Sequence, residues 1–135
     1  MQKVAEIRVR YAETDAMGIV YNANYLVWFE VARTELFRSL SLPYTRFETE
    51  GLALAVVEAS VRYKRAAHYD DLLQLCTEVA SLTPRKVVFN YQITKGQTLV
   101  CSGSTTHVFV NRDGKAVSAS GSGIWEKVRQ AFSLK

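Results

Sequence analysis

The chain has 135 residues, 48% of them hydrophobic and 22% charged, which suits one folded domain with a single core and excludes a largely disordered polypeptide. Lys and Arg outnumber Asp and Glu by 17 to 13, so an anionic partner fits, although a formal charge of +4 does not choose among classes of anion. No apolar run approaches the ~20 residues of a membrane span, the first residues do not read as a secretory leader, and the expected setting is cytoplasmic.

Residues 4 to 11 alternate, with Ala5, Ile7, Val9 and Tyr11 on one side and Glu6, Arg8 and Arg10 on the other, which predicts a half-buried strand. From Asn24 to about Leu40 the period lengthens. Tyr25, Phe29, Ala32, Leu36 and Leu40 recur at three- and four-residue steps with Glu30 and Arg38 opposite, predicting one long helix. Pro43, the polar mixture through Glu50 and Gly51 predict an irregular link. Four strands are then expected at 52–66, 72–82, 86–95 and 98–110, the last two joined at Lys95-Gly96-Gln97 and the last ended by Asn111-Arg-Asp113-Gly114. Residues 116 to 123 are small, and an amphipathic piece with Trp125, Val128 and Phe132 follows, so 116–135 reads as a C-terminal helix or mobile tail of a single domain, 1–135. The order strand, helix, four strands gives an α+β domain in which a five-stranded antiparallel sheet wraps around one long central helix. Such a sheet leaves edges open, and a second copy is a natural cover for them.

Asp15 precedes a turn glycine, Gly18, that leads into the predicted helix. A helix start carries unpaired N–H groups and partial positive charge, so an oxyanion formed there meets donors already in place. A carboxylate beside it can attack an acyl carbon or take a proton from water, whereas its plainer use is to cap the turn. Tyr21, Tyr25, Trp28 and Tyr63 can shape an apolar pocket or simply fill the core. Glu13 and Glu58 read as surface or structural carboxylates. Cys76 and Cys101 fall in strand patterns as buried thiols, His107 as a packed residue, and with His68 they offer no metal-ligand spacing. Phosphate-binding glycine loops and a Gly-x-Ser-x-Gly elbow are absent from the sequence, and so is a basic stripe interleaved with aromatics, which argues against a nucleic-acid partner.

The run ETDAMGIVYNANY (Glu13 to Tyr25), with WFEVARTELF in the helix after it and Tyr69-Asp70-Asp71 further on, resembles the hotdog-fold acyl-CoA thioesterases of the 4-hydroxybenzoyl-CoA thioesterase type and their YbgC-like relatives over roughly residues 3 to 115. The resemblance implies hydrolysis of acyl-CoA thioesters by a dimer or dimer of dimers, with coenzyme A as part of the substrate and no separate cofactor or metal. It assigns Asp15 as the essential carboxylate, nucleophile or general base. Gly18 supplies the tight turn, and the helix-start N–H that meets the thioester oxygen falls on Asn22. Tyr21, Asn24 and Tyr25 then line the substrate site, Asn24 either fixing the turn or capping the helix. Arg85 and Lys86 match a basic pair that contacts the nucleotide phosphate, ahead of Arg62, Lys64 and Arg65. Asn22 departs from the YbgC-like pattern, where His is common, and Asn cannot serve as an acid or base near neutral pH. A noncatalytic acyl-binding module and a carrier-protein thioesterase are the alternative readings.

Overall fold

The computed structural model describes residues 1–133 of the chain. Five strands form one antiparallel sheet in the order β1-β3-β4-β5-β2: β1 (Gln2–Arg8), β2 (Ala53–Tyr63), β3 (Leu72–Leu82), β4 (Lys86–Lys95) and β5 (Thr98–Val110). The helices are α1 (Asn24–Ser39), α2 (Tyr44–Thr49) and α3 (Gly123–Ser133). Short connections between β3, β4 and β5 make them antiparallel neighbours, as the turn residues at Lys95-Gly96-Gln97 require.

α1 lies across one face of the sheet. Its apolar stripe, Tyr25, Trp28, Phe29, Ala32, Leu36 and Phe37, is buried against the alternate residues Val87, Phe89, Tyr91 and Ile93 of β4 and Leu73 and Leu75 of β3. The Phe29 ring of α1 rests on Gly103 of β5, where a Cβ would stand 2.5 Å from it. That ring stacks on Tyr91 with centroids 4.2 Å apart and planes 4° from parallel. Glycine here is a condition of the helix–sheet contact, because any larger residue would hold the two layers apart.

Four expectations are corrected in whole or in part. The first strand covers Gln2–Arg8 rather than residues 4–11, and Tyr11, 78% exposed, starts a 3₁₀ turn. The chain leaves the strand there because Glu13 folds back on Arg10: its Oε1 accepts the Arg10 N–H at 2.8 Å and its Oε2 the guanidinium at 3.0 Å. The link after Pro43 is helical, Pro43 being the N-cap residue of α2, and Phe47 carries α2 into the core. Of the two readings of the C-terminal segment the helix is the one found, α3 burying Ile124, Trp125 and Val128, and the residues before it are held in place rather than mobile: Ala119 is buried and its N–H donates to Pro84 O at 2.7 Å. Residues 134–135 of that expected segment lie outside the described residues. Cys101 is buried whereas Cys76 is half-buried. Among the described residues no helix is long and apolar enough to cross a membrane.

Candidate active site

Asp15 sits at the tip of a tight hairpin. Its C=O accepts the Gly18 N–H and its N–H donates to Ile19 O, both at 2.9 Å, while Thr14 and Val20 pair below. This is a three-residue loop closed by a residue in the left-handed region, and Gly18, at φ 79°, takes that conformation at little steric cost. Asp15 Oδ1 accepts the Met17 N–H at 2.8 Å, so the carboxylate is oriented by the loop it initiates. The turn-capping use of Asp15 is therefore real and leaves Oδ2 outside that bond.

The hairpin is bound directly to the start of α1. Glu13 O accepts both the Tyr21 N–H and the Asn24 side-chain amide, each at 2.9 Å. Asn24 thus clamps hairpin to helix; the N-cap position belongs to Ala23, which makes no side-chain cap bond. Glu13, the carboxylate behind this clamp, is buried. Burial alone would push its pKa up, but the Arg10 hydrogen bonds and charge outweigh it and hold the group below the ordinary value. At the helix start the Asn24 N–H donates to Tyr21 O and the Tyr25 N–H to Asn22 O, whereas the N–H groups of Asn22 and Ala23 have no acceptor among the described residues. Both residues are exposed. These are donors of the kind that stabilise an oxyanion.

A cleft of ≈ 270 Å³ opens beside those donors, lined by Ile19, Val20, Asn22, Tyr25, Tyr63 and the segment Lys64–Ala66. Tyr63, at the end of the edge strand β2, donates its hydroxyl to Asn22 O at 3.2 Å and packs 5.5 Å from the Tyr25 ring. Burial pushes the Tyr25 hydroxyl up to about 12, so it stays neutral. Asp15 and Tyr21 do not line this cleft; Tyr21 is 53% exposed, and Trp28 is core.

The Tyr69-Asp70-Asp71 motif supports the hairpin from behind. Asp71 accepts the His68 N–H at 2.9 Å and pairs with Lys95 at 2.9 Å. The segment it fixes gives Ala67 O to the Val20 N–H and pairs His68 with Ile19. Asp70, at φ 71°, makes the turn that returns the chain to β3.

Arg85 and Lys86 are exposed at the far end of the sheet. Lys86 pairs with Val108, the row of Ala55, while Tyr63 pairs with Cys101, the row of Ile93. Along β4 these rows are ~23 Å apart. Within one chain the cations at the cleft are instead Lys64 and Arg65, both exposed, with their N–H groups on Val100 O at 2.8 and 3.0 Å. Only the sheet order reveals this, since nothing in the local sequence says which basic pair ends beside α1. Glu58 is exposed and pairs with Thr106. Among the described residues no group of three or more His, Cys, Asp or Glu is placed to hold a metal ion.

A family model described as thioesterase-like superfamily matches residues 9–132. The chain belongs to that superfamily. It is 39% identical to the Bacillus subtilis protein YneP over 109 residues, 80% of this chain and 79% of that one. It is 40% identical to the acyl-CoA thioesterase YbgC of Haemophilus influenzae over 103 residues, 76% of this chain and 75% of that one. The crystal structure of the DHNA-CoA thioesterase of Staphylococcus aureus superposes with a TM-score of 0.89 at 31% identity, covering 96% of this chain and 87% of that one. The fold is accordingly the hotdog fold, a sheet wrapped around a helix of sixteen residues.

Proposed function

We propose that this chain hydrolyses acyl-CoA thioesters to the free acid and coenzyme A, the thioester carbonyl lying between Asp15 and the start of α1. The observation that carries the reading is the clamp through Glu13 and Asn24, which ties an oriented carboxylate to a helix start whose Asn22 and Ala23 N–H groups point to no protein acceptor among the described residues. The activity of the H. influenzae relative, an acyl-CoA thioesterase, supports the same chemistry.

In the general-base course Asp15 takes a proton from water, the resulting hydroxide adds to the carbonyl carbon, and the oxyanion is held by the helix-start N–H groups until the thiolate leaves. In the nucleophilic course Asp15 itself adds, the thiolate leaves, and water breaks the acyl-aspartyl anhydride. A thiolate is a good leaving group, so neither course needs an imidazole at Asn22, and no cofactor beyond the substrate's own coenzyme A is required. Lys64 and Arg65 hold phosphate groups of coenzyme A at the mouth of the cleft. The working unit is a homo-oligomer built on β2, whose edge exposes Val56, Val57 and Tyr63.

Thiol release across aromatic and aliphatic acyl-CoAs, for wild type and Asp15→Asn, tests the reading. Asn keeps the acceptor for Met17, so the hairpin persists while turnover falls ~10²–10⁴-fold. Label found in the Asp15 carboxylate after turnover in ¹⁸O-water establishes the nucleophilic course with water attacking the aspartyl carbonyl of the anhydride, because the general-base course never exchanges that oxygen. Wild type that releases no thiol from any member, or a variant as fast as wild type, refutes the assignment.

A further inference from the structure

A second cavity, ≈ 320 Å³, opens at the other end of β2 between α1, α2 and the start of that strand. Ligand sites run from ~300 to 1,000 Å³, so it is large enough for a small group. Phe47 and Leu54 form its apolar walls, Arg33 and Tyr44 reach into it, and the exposed Glu30 and Glu48 stand at its rim.

The inner wall includes Tyr44, whose buried hydroxyl makes no hydrogen bond of ordinary geometry and has the Arg33 guanidinium as its polar neighbour. No carboxylate among the described residues pairs with Arg33. Its guanidinium donates to the Tyr91 hydroxyl at 3.5 Å; that hydroxyl and Thr105 Oγ1 share a hydrogen bond of 2.5 Å, and Thr105 meets His107 Nε2 at 2.8 Å. The inner face of the sheet thus carries a polar chain that ends at a half-buried, unpaired cation facing open space.

Within one chain this cavity is remote from the catalytic cleft, ~30 Å along β2 from Leu54 to Tyr63. Antiparallel pairing of β2 with its own copy removes the separation, since the Ala53–Leu54 end of one strand then lies beside the Tyr63 end of the other. We propose that in this dimer the cavity receives the end of the acyl group remote from the thioester held in the neighbouring subunit's cleft, and that Arg33 and Tyr44 select acyl groups ending in an oxygen acceptor. This inference rests on the thioesterase and dimer readings above. A methyl end would desolvate the half-buried guanidinium and offer no acceptor, whereas an oxygen end gives the guanidinium an acceptor beside the Tyr44 hydroxyl. Glu30 and Glu48 oppose an anionic end, but they are exposed and solvent screens them more than it screens the inner cation.

The test uses thioether analogues of three acyl-CoAs equal in length and ending in carboxylate, hydroxyl or methyl, which bind without being hydrolysed. Dissociation constants are measured by calorimetry for wild type, Arg33→Met, Arg33→Lys and Tyr44→Phe, with light scattering on each. Wild type is expected to be at least dimeric and to bind an oxygen-ended analogue at least tenfold more tightly than the methyl-ended one, the carboxylate and hydroxyl arms naming the preferred end. That ratio falls toward one in Arg33→Met, recovers in part in Arg33→Lys and drops in Tyr44→Phe. Equal binding of all three by wild type, no binding, a monomer, or an unchanged ratio in Arg33→Met overturns the proposal. If Arg33→Met does not fold, an unchanged ratio in Tyr44→Phe does so. Absent thiol release with the binding ratio intact removes the thioesterase reading alone, and the converse removes this one alone.

Discussion

Gly103→Ala probes the contact on which the site is mounted. The added Cβ would stand 2.4 Å from Ser60 O and 2.5 Å from Phe29 Cε2, against the ~3.5–4.0 Å of ordinary carbon contacts. Neither neighbour yields easily. Ser60 belongs to the β2–β5 ladder, and the Phe29 ring is fully buried and stacked on Tyr91. About 1 Å of separation between the Phe29 ring and β5 relieves one clash and a comparable shift between β2 and β5 the other, and core overpacking costs ~1–3 kcal/mol or more. With one clash on backbone and one on a locked ring, a loss of about 3 kcal/mol is expected, a large share of the ~5–15 kcal/mol typical of a domain. Urea unfolding at one fixed protein concentration measures it through the midpoint, with the slope unchanged. A loss below about 0.5 kcal/mol would refute the claim that the Phe29 ring of α1 rests directly on this glycine. Because the Asn22–Tyr25 turn moves with α1, thiol release per folded molecule should fall as well.

Lys64→Gln with Arg65→Gln is expected to raise KM for acyl-CoA about tenfold or more and to leave the matching acyl-pantetheine little changed, since hydrogen bonds to charged groups contribute about 1.5–3 kcal/mol; equal effects on both substrates would dismiss these residues as phosphate contacts. Burial, helped by the Arg33 charge, lowers His107 to about 4 from 6.5, so the unfolded chain binds the extra proton between those values. Stability is therefore complete above about pH 6.5 and falls toward pH 4, by up to about 3 kcal/mol from this residue. Melting temperatures between pH 7 and 4.5 should decline less in His107→Gln than in wild type, and parallel declines would reject the assignment. Asp71 and Glu13, held below their ordinary values, add losses only at lower pH.

The long helix and the last three strands were legible because their apolar spacing matches the helical and strand periods and is met by one packed face each. Reading failed where local chemistry overrode period. Alternation runs on to Tyr11, but the Glu13 carboxylate pulls the chain into a turn. Pro43 signalled a break and in fact stands as the N-cap residue just ahead of α2, a use of proline that the sequence does not separate from a loop. The polar inner row Gly103, Thr105 and His107 carried no recognisable pattern, since its meaning lies in Phe29, Tyr91 and Arg33 from other elements. At the site, Asp15, Gly18, Asn22 and Asn24 stood close together in one motif and the fold keeps them so. The placement of Arg85–Lys86 and Lys64–Arg65 at opposite ends of the sheet depends on strand order, which neither pair encodes.

The two edges of the sheet are treated differently, and the difference predicts which one a second copy occupies. β1 carries Lys3, Glu6 and Arg8 within seven residues, charges that blunt an edge, whereas β2, with Glu58 and Arg62 among eleven residues, also exposes Val56 at 49% and Val57 at 57%. A bulge between Val56 and Glu58 bends β2 near its middle, yet the strand is eleven residues long and bare on its outer side. In antiparallel self-pairing Val57 stands near its own copy, so Val57→Lys would set two ammonium groups close together while exposing nothing new in the monomer. Light scattering should then report a monomer with unchanged helix content by circular dichroism. Thiol release should be lost with it, because the proposed dimer draws the far wall of the acyl site from the other subunit. A dimer that survives the lysine would place the interface elsewhere, and a monomer with full turnover would show that one chain carries the whole site.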